Sequence, residues 1–197
     1  MLKITNLTFA FGKKTVLESF SLELKKGEIL ALMAPSGYGK TTLLGLIAGT
    51  LKVQNGEIEN NAQRVAYVFQ EPRLFPWLTV KENLLTVMEK ADEDSIKTVA
   101  ECLALVGLDD AADKYPSELS GGMKSRASLA RALAFGGDLF LLDEPFAALD
   151  EDLRHDLALK LKEYLHSRGA SAILVTHQRA DAEAMADRIL ELAPLAK

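Results

Sequence analysis

The feature that most constrains this chain is a polar, glycine-containing loop between two apolar runs, in residues 31–44, ALMAPSGYGKTTLL. The run EILALM before the loop is typical of a buried strand, and KTTLLGLIAG after it predicts the start of a helix. A hydrophobic core does not favour a lysine and two threonines, because they bury little apolar area and their polar groups need partners. The loop therefore predicts a binding site at a strand-to-helix junction.

The order of predicted elements indicates an α/β fold. Short alternating or β-branched runs predict strands over residues 3–9, 19–24, 28–33 and 64–69. Helical spacing then dominates TVKENLLTVMEK, SIKTVAECLALVGL and SGGMKSRASLARALAF. The chain returns to strand, helix and strand with DLFLLDE, EDLRHDLALKLKEYLHSRG and SAILVTH. This alternation predicts a parallel sheet flanked by helices. We expect one domain over residues 1–197, with an α/β core at about 1–72 and 134–197 and a helical subdomain at about 73–133.

Composition narrows the class of protein. With 197 residues and 48% hydrophobic side chains, the chain can form one core without disulfides. A formal net charge of −5, with no dense Lys/Arg stripe, argues against a nucleic-acid partner. Cys102 is the only cysteine, and its apolar helical setting is typical of a small core side chain in a reducing compartment. We expect no signal peptide and no membrane span, and hence a cytoplasmic location.

The loop matches the P-loop pattern G-x-x-x-x-G-K-[ST], except that Ala34 occupies the first position. Backbone N–H groups at Gly37 and Gly39 are predicted to converge on phosphate oxygens at the helix N-terminus. Lys40 would reach the terminal phosphates, and the Thr41 hydroxyl would bind Mg²⁺. The alternative is a glycine-rich turn with a solvated lysine. The predicted nucleotide-binding residues here are Pro35, Ser36, Gly37, Tyr38, Gly39, Lys40, Thr41 and Thr42.

A second candidate site follows the apolar run DLFLL, where Asp143 and Glu144 emerge at the end of a predicted parallel strand. Open α/β sheets place ligands at the carboxyl ends of their strands. Asp143 suits Mg²⁺ through its water shell, and Glu144 would act as general base on the attacking water. A solvated turn or a helix cap is the alternative. Because a P-loop lies upstream in the same chain, a catalytic role for the two carboxylates is favoured over this alternative.

The segment LSGGM at residues 119–123, followed by KSRASLARALA, resembles the signature motif of ABC-type ATPases. The resemblance extends in order through FAFGKK, APSGYGKTT, VFQEPRLFPWLTVKENL, LFLLDEPFAALD and ILVTHQRADAEAMADRIL. It implies a P-loop NTPase (RecA-like) core with N-terminal antiparallel β strands and an inserted α-helical subdomain, with ATP and Mg²⁺ bound. It also implies a homodimer in the ATP-bound state. In that dimer Ser120, Gly121 and Gly122 would close on ATP held by the second copy, although Ser120 alone could be a helix N-cap.

The same resemblance assigns roles to four further residues. Phe11 would lie against adenine, although a core residue at a strand end is the alternative. Gln70 would sense Mg²⁺ and the attacking water, giving a predicted metal set of Thr41, Gln70 and Asp143; a structural glutamine is the alternative. His177 would contact the γ-phosphate, where a lone strand-end histidine is more often structural. Asp150 would face the opposite subunit's site, or serve only as an N-cap.

Three other side chains are predicted to have no part in binding or catalysis. His155 and His166 lie in a charged helical pattern, so we expect both to be solvated. Met123 stands where many members of the family have glutamine, so any polar contact of that amide is absent.

The segment EPRLFPWLTVKENL, residues 71–84, suggests what the ATPase drives. Two prolines force an extended surface segment, and the sequence resembles the importer subgroup for nitrate, sulfonate and taurine. In that subgroup this region forms a groove for a membrane-subunit helix. Phe75 and Trp77 could instead fill the subdomain core. The sequence ends with ADRILELAPLAK, so we expect no C-terminal regulatory domain.

The leading hypothesis is therefore an importer ATPase, peripheral on the inner face of the membrane. Its partners would be an integral permease and, indirectly, an extracytoplasmic substrate-binding protein, with no nucleic acid. One alternative is a soluble ABC ATPase acting in DNA repair or translation. The other is a non-hydrolytic nucleotide-binding module.

Overall fold

The computed structural model describes residues 1–34 and 37–192. Pro35, Ser36 and residues 193–197 lie outside the described part. Two 3₁₀ turns occur at Asp109–Ala111 and Pro116–Glu118. The strands and helices, in chain order, are β1 (Leu2–Phe11), β2 (Lys14–Leu24), β3 (Ile29–Met33), α1 (Lys40–Ile47), β4 (Asn55–Asn60), β5 (Val65–Val68), α2 (Val80–Leu85), α3 (Glu93–Leu105), α4 (Gly121–Phe135), β6 (Leu139–Asp143), α5 (Glu151–Ser167), β7 (Ser171–Thr176), α6 (Arg179–Met185) and β8 (Arg188–Glu191).

A five-stranded parallel sheet in the order β5-β6-β7-β3-β8 forms the centre of the fold. Its inner strands are buried on both faces, which explains why they are continuous apolar runs rather than alternating ones. Successive residues of a strand in this sheet pack into two different hydrophobic cores, one on each face. Ile173 and Val175 of β7 pack with α1 and the N-terminal strands, whereas Ala172 and Leu174 pack with the core that includes α3, α4 and α5. The predicted parallel sheet is confirmed.

A second, antiparallel sheet in the order β2-β1-β4 covers one side of the fold. The predicted strand over residues 19–24 is part of β2, which begins five residues earlier, at Lys14, and pairs along β1. Strand β4 was not predicted, because NGEIEN is largely polar and exposed. It forms because its backbone adds to β1, where Leu2 lies opposite Asn60 and Ile4 opposite Ile58.

Between β5 and β6, where every residue is described, the regular elements are helical. Helices α3 and α4 lie within a few residues of their predicted bounds. Helix α2 begins as expected, because Thr79 and Glu82 form a reciprocal capping box. It ends at Leu85, however, and so does not continue over the predicted TVMEK.

A buried asparagine holds the loop that precedes α2. The Asn83 side chain is fully buried, and its Nδ2 donates to the carbonyl oxygens of Phe75 and Leu78 at 3.1 Å each and of Thr79 at 2.9 Å. Its Oδ1 accepts from the Phe75 N–H at 2.7 Å. A buried amide with this many partners fixes the backbone of the loop.

We expect Asn83→Asp to lower the free energy of unfolding by about 3 kcal/mol, because the carboxylate cannot donate to three buried carbonyl groups. Asn61→Asp makes the same chemical change at an exposed position and should alter stability by less than about 0.5 kcal/mol. Urea denaturation measures both. Equal stability of the two variants would contradict the assignment of Asn83 as the residue that fixes the loop.

Candidate functional site

The parallel sheet brings four sequence motifs to one edge. The loop after β3, Gln70 after β5, the pair Asp143 and Glu144 at the end of β6, and His177 after β7 all follow the carboxyl ends of neighbouring strands. This is the edge at which open α/β sheets bind ligands.

A cavity of about 330 Å³ opens at this edge. It contains most of the predicted site residues but also Lys14 and Val16 of β2, which sequence reasoning missed. The only available signal was their closeness in sequence to Phe11. The lining residues are Phe11, Lys14, Val16, Gly37, Tyr38, Gly39, Lys40, Thr41, Thr42, Gln70, Asp143 and Glu144.

The loop between β3 and α1 needs glycine at position 39. Gly39 is the N-cap residue of α1 and has φ of 75°, a left-handed conformation that L side chains rarely adopt. A Cβ at this position would lie 2.4 Å from Cγ1 of Val16. Helix α1 therefore begins at the cavity with its N–H groups close to the space where an anion would bind. The Lys40 ammonium is buried beside it and donates to the carbonyl oxygen of Ala34.

Thr41 and Asp143 form an oxygen-rich pair at the base of the cavity, where Thr41 Oγ1 donates to Asp143 Oδ2 at 2.7 Å. Burial raises the pKa of the Asp143 carboxyl above its ordinary value, the Thr41 hydrogen bond opposes this, and the Glu144 charge adds to it. Among the described residues, no three His, Cys, Asp or Glu side chains cluster as metal ligands do. One carboxylate and one hydroxyl fit Mg²⁺, which usually keeps several waters and binds phosphates as well.

Glu144 is held in an unusual backbone conformation. Its φ is 49°, which is uncommon for a residue other than glycine. Its N–H donates to the carbonyl oxygen of Val175 at 2.9 Å, and its Oε1 lies 2.9 Å from Nδ1 of His177. The carboxylate is largely buried, whereas 54% of the His177 side chain is exposed. Of the four residues predicted to be catalytic (Lys40, Gln70, Glu144 and His177), the structure brings Glu144 and His177 into direct contact.

Phe11 lies at the rim of the cavity. Its neighbour Phe9 is a core residue, but Phe11 is 55% exposed and packs edge-on against the Phe9 ring at a centroid distance of 5.0 Å. The core interpretation of Phe11 is therefore wrong, and an aromatic face is left available at the rim.

The predicted signature residues lie elsewhere on the chain. Ser120, Gly121, Gly122 and Asp150 are not among the described residues that line the cavity. Ser120 and Asp150 are the N-caps of α4 and α5, accepting from Met123 N–H at 3.3 Å and from Leu153 N–H at 3.0 Å.

The N-terminus of α4 lies beside the loop that precedes α5. A Cβ at Gly122 would lie 2.9 Å from the carbonyl oxygen of Ala148, in the loop that leads to Asp150. The chain therefore carries two separate groups of site residues: the cavity, and the joined N-termini of α4 and α5.

The structure also shows the burial of residues for which a structural or solvated role was considered. His155 and His166 are both exposed, but His166 Nε2 additionally lies 3.1 Å from Asp187 Oδ2. Phe75 and Trp77 do not fill a core: they are 41% and 69% exposed. Cys102 is buried as predicted, and burial raises its pKa to about 11. Within residues 1–34 and 37–192, no helix has the length and apolar character needed to span a bilayer.

Comparison with known proteins identifies the family. The family described as ABC transporter matches residues 17–147. A "Probable sulfate/thiosulfate import ATP-binding protein" of Chlorella vulgaris is 40% identical, covering 96% of this chain and 86% of the relative. An aliphatic sulfonates import ATP-binding protein of Pseudomonas savastanoi is 41% identical, covering 92% and 76%. A solved dimeric ATP-binding cassette in a post-hydrolysis state, bound to ADP and Pi, has a TM-score of 0.87 and 30% identity, covering 98% of this chain and 94% of that one.

The chain belongs to the ABC transporter family, and it is an ATP-binding ATPase of that family. The expected fold, a P-loop NTPase core with an antiparallel sheet and inserted helices, is confirmed. Other relatives are longer: the chain spans 58%, 60% and 54% of relatives named for import of Fe(3+) ions, sulfate/thiosulfate and spermidine/putrescine.

The close approach of Gly122 to Ala148 can be tested with alanine substitutions at two neighbouring glycines. Gly122→Ala should lower the free energy of unfolding by about 1–3 kcal/mol, because the new Cβ overlaps a backbone oxygen. Gly121→Ala faces open space and should leave stability unchanged or raise it by less than about 1 kcal/mol. Thermal unfolding of both variants decides, and a Gly122→Ala protein as stable as Gly121→Ala would refute the close contact.

Proposed function

We propose that this chain is the ATP-hydrolysing subunit of an ABC importer, peripheral on the inner face of the membrane. Two copies would drive a separate integral permease that receives its substrate from an extracytoplasmic binding protein. The observation that carries the proposal is the convergence of Lys40, Thr41, Asp143 and Glu144 on one cavity, with His177 bonded to Glu144.

ATP binding would use the start of α1. The N-terminal N–H groups and the helix dipole favour the phosphate chain, and Lys40 adds a positive charge beside them. Thr41, Asp143 and Gln70 would hold Mg²⁺, which neutralises phosphate charge when bound. Phe11 would contact adenine from the rim, where stacking is worth about 1–3 kcal/mol.

Hydrolysis would depend on Glu144 as general base. With the carboxylate ionised, His177 Nδ1 donates to Oε1, which fixes the carboxylate and leaves Oε2 to accept a proton from the attacking water. Phosphoryl transfer to water is mostly positioning and charge stabilisation, so a fixed Glu144 carboxylate would also serve to orient the attacking water. His177 would also contact the γ-phosphate.

A second copy would complete each site. The cavity faces water on one side, while Ser120, Gly121, Gly122 and Asp150 form a separate group that presents helix N-termini to solvent. Placing this group against the γ-phosphate held by the other copy would supply donors and exclude water. A dimeric neighbour of 30% identity, solved with ADP and Pi, supports a dimer of this kind of chain.

The surface for the membrane subunit would lie on the helical subdomain, which we place at about residues 73–133. Phe75 and Trp77 are exposed with ring centroids 5.7 Å apart, on the loop that Asn83 fixes. Adjacent exposed aromatic rings are typical of interaction sites. We propose a small-molecule substrate of the nitrate, sulfonate or taurine class; the relative named for sulfonates agrees with it, whereas relatives of similar identity are named for Fe(3+) ions and spermidine/putrescine. The net charge of −5 supports a partner other than nucleic acid.

Two variants separate binding from hydrolysis. Lys40→Ala should lose tight ATP binding, because the positive charge at the start of α1 that is predicted to reach the terminal phosphates is removed. Glu144→Gln should still bind ATP but lower kcat by at least about 100-fold, because the amide cannot accept the proton. Isothermal titration and phosphate release measure the two steps. Normal hydrolysis by Glu144→Gln would remove the general-base assignment.

The composite site predicts a concentration dependence. Turnover per chain should rise with protein concentration in Mg-ATP and reach a plateau, because only the dimer encloses the γ-phosphate. Light scattering should show Glu144→Gln as a dimer with Mg-ATP and as a monomer with ADP. A monomeric preparation that hydrolyses ATP at the full rate per site would overturn the two-copy proposal.

A further inference from the structure

A buried ion pair connects α5 and α6 behind the candidate site. Arg154, in the first turn of α5, and Asp181 of α6 have side chains that are only 16% and 4% exposed. Arg154 Nε lies 3.8 Å from Asp181 Oδ1. Neither residue lines the nucleotide cavity.

Each member of the pair contacts a different segment of the site. Arg154 Nη2 donates to the carbonyl oxygen of Leu149 at 2.9 Å, immediately before Asp150. Asp181 Oδ2 accepts from Thr176 Oγ1 at 3.3 Å, immediately before His177. The Thr176 hydroxyl in turn accepts from the Gln178 N–H at 3.0 Å, so both sides of His177 are attached to this network.

The pair is poorly arranged for stability alone. Arg154 Nε and Asp181 Oδ1 are buried and have no hydrogen-bond partner in the described part of the chain. Burying two charges costs free energy that a 3.8 Å separation only partly recovers, and well-packed apolar side chains are often equally stable at such a position.

We propose that Arg154 and Asp181 are positioning residues that hold the Asp150 loop and the His177 segment in one fixed relation. The inference rests on the proposed function. His177 would act in the cavity of its own chain, whereas Asp150 would act at the site of the second copy. The pair would therefore set the geometry of both sites in the dimer, without touching nucleotide.

The decisive variant removes both charges. Arg154→Met and Asp181→Leu should each lower Tm, because the remaining charge is buried without its partner. The double variant should recover most of the Tm, because no charge is left unpaired. Its kcat should nevertheless remain at least about tenfold below wild type, with KM for ATP within about twofold, because small misplacements of catalytic groups reduce chemistry rather than binding.

Lys162→Met provides the matched control on the same helix. Lys162 Nζ lies 3.5 Å from Asp187 Oδ1, and neither residue is bonded to the Asp150 loop or the His177 segment by a described contact. This variant should keep wild-type kcat. A second measurement uses Arg154→Lys, whose single ammonium keeps the charge but cannot serve Leu149 and Asp181 from two nitrogens. It should keep Tm within a few degrees and lower kcat about tenfold.

The outcomes separate this inference from the function itself. Steady-state hydrolysis of Mg-ATP by the full wild-type chain is measured first, and absence of turnover refutes the proposed function together with this inference. With an active wild type, a double variant that recovers both Tm and kcat refutes only the positioning role. If the double variant does not recover its Tm, Arg154→Lys decides: wild-type kcat in that variant overturns the inference, and reduced kcat with unchanged KM supports it.

Discussion

The parallel register of the central sheet is the constraint on which the site depends. Because all five strands run in one direction, every segment that leaves a carboxyl end emerges at the same edge. Burial on both faces fixes this register, since a shift of one residue would exchange the two cores to which alternate side chains belong. Residues that are more than one hundred positions apart, such as Thr41 and Asp143, thereby come within hydrogen-bond distance.

The polar groups at this edge of the sheet are hydrogen bonded to one another and to nearby backbone groups. Thr41 is bonded to Asp143, Lys40 to the Ala34 carbonyl, and Glu144 to both Val175 and His177. Such mutual satisfaction lets the fold bury charged groups that would otherwise cost several kcal/mol each. The second group, at the starts of α4 and α5, is organised separately through the contact of Gly122 with Ala148.

Much of this arrangement could be predicted from the sequence, because strand ends and helix starts carry local signals. The strand before Asp143, the helix start at Ser120 and the strand before His177 were all predicted at the right places. Contacts decided by packing could not be predicted. Strand β4 has no apolar pattern and exists only through its backbone pairing with β1. The helical pattern in the sequence continues over TVMEK, but helix α2 ends at Leu85.

Long-range contacts were also missed. Lys14 and Val16 line the cavity because β2 passes beside Gly39, and apart from their closeness in sequence to Phe11 no local signal indicates this. The approach of Arg154 to Asp181 follows from how α5 packs on α6. Exposure of Phe75 and Trp77, which the sequence left open between core and surface, was likewise decided by tertiary structure.

The left-handed backbone at Glu144 sets the stability of this protein against the catalytic role that we propose for its carboxylate. A side chain in this conformation costs of the order of 1–3 kcal/mol, and glycine would relieve that cost while removing the carboxylate. If Glu144 is the general base proposed above, selection for heat resistance alone would enrich inactive chains with glycine at position 144. A screen that selects only for thermal stability should therefore keep codon 144 unchanged, because glycine at this position would raise stability at the expense of the proposed catalytic carboxylate.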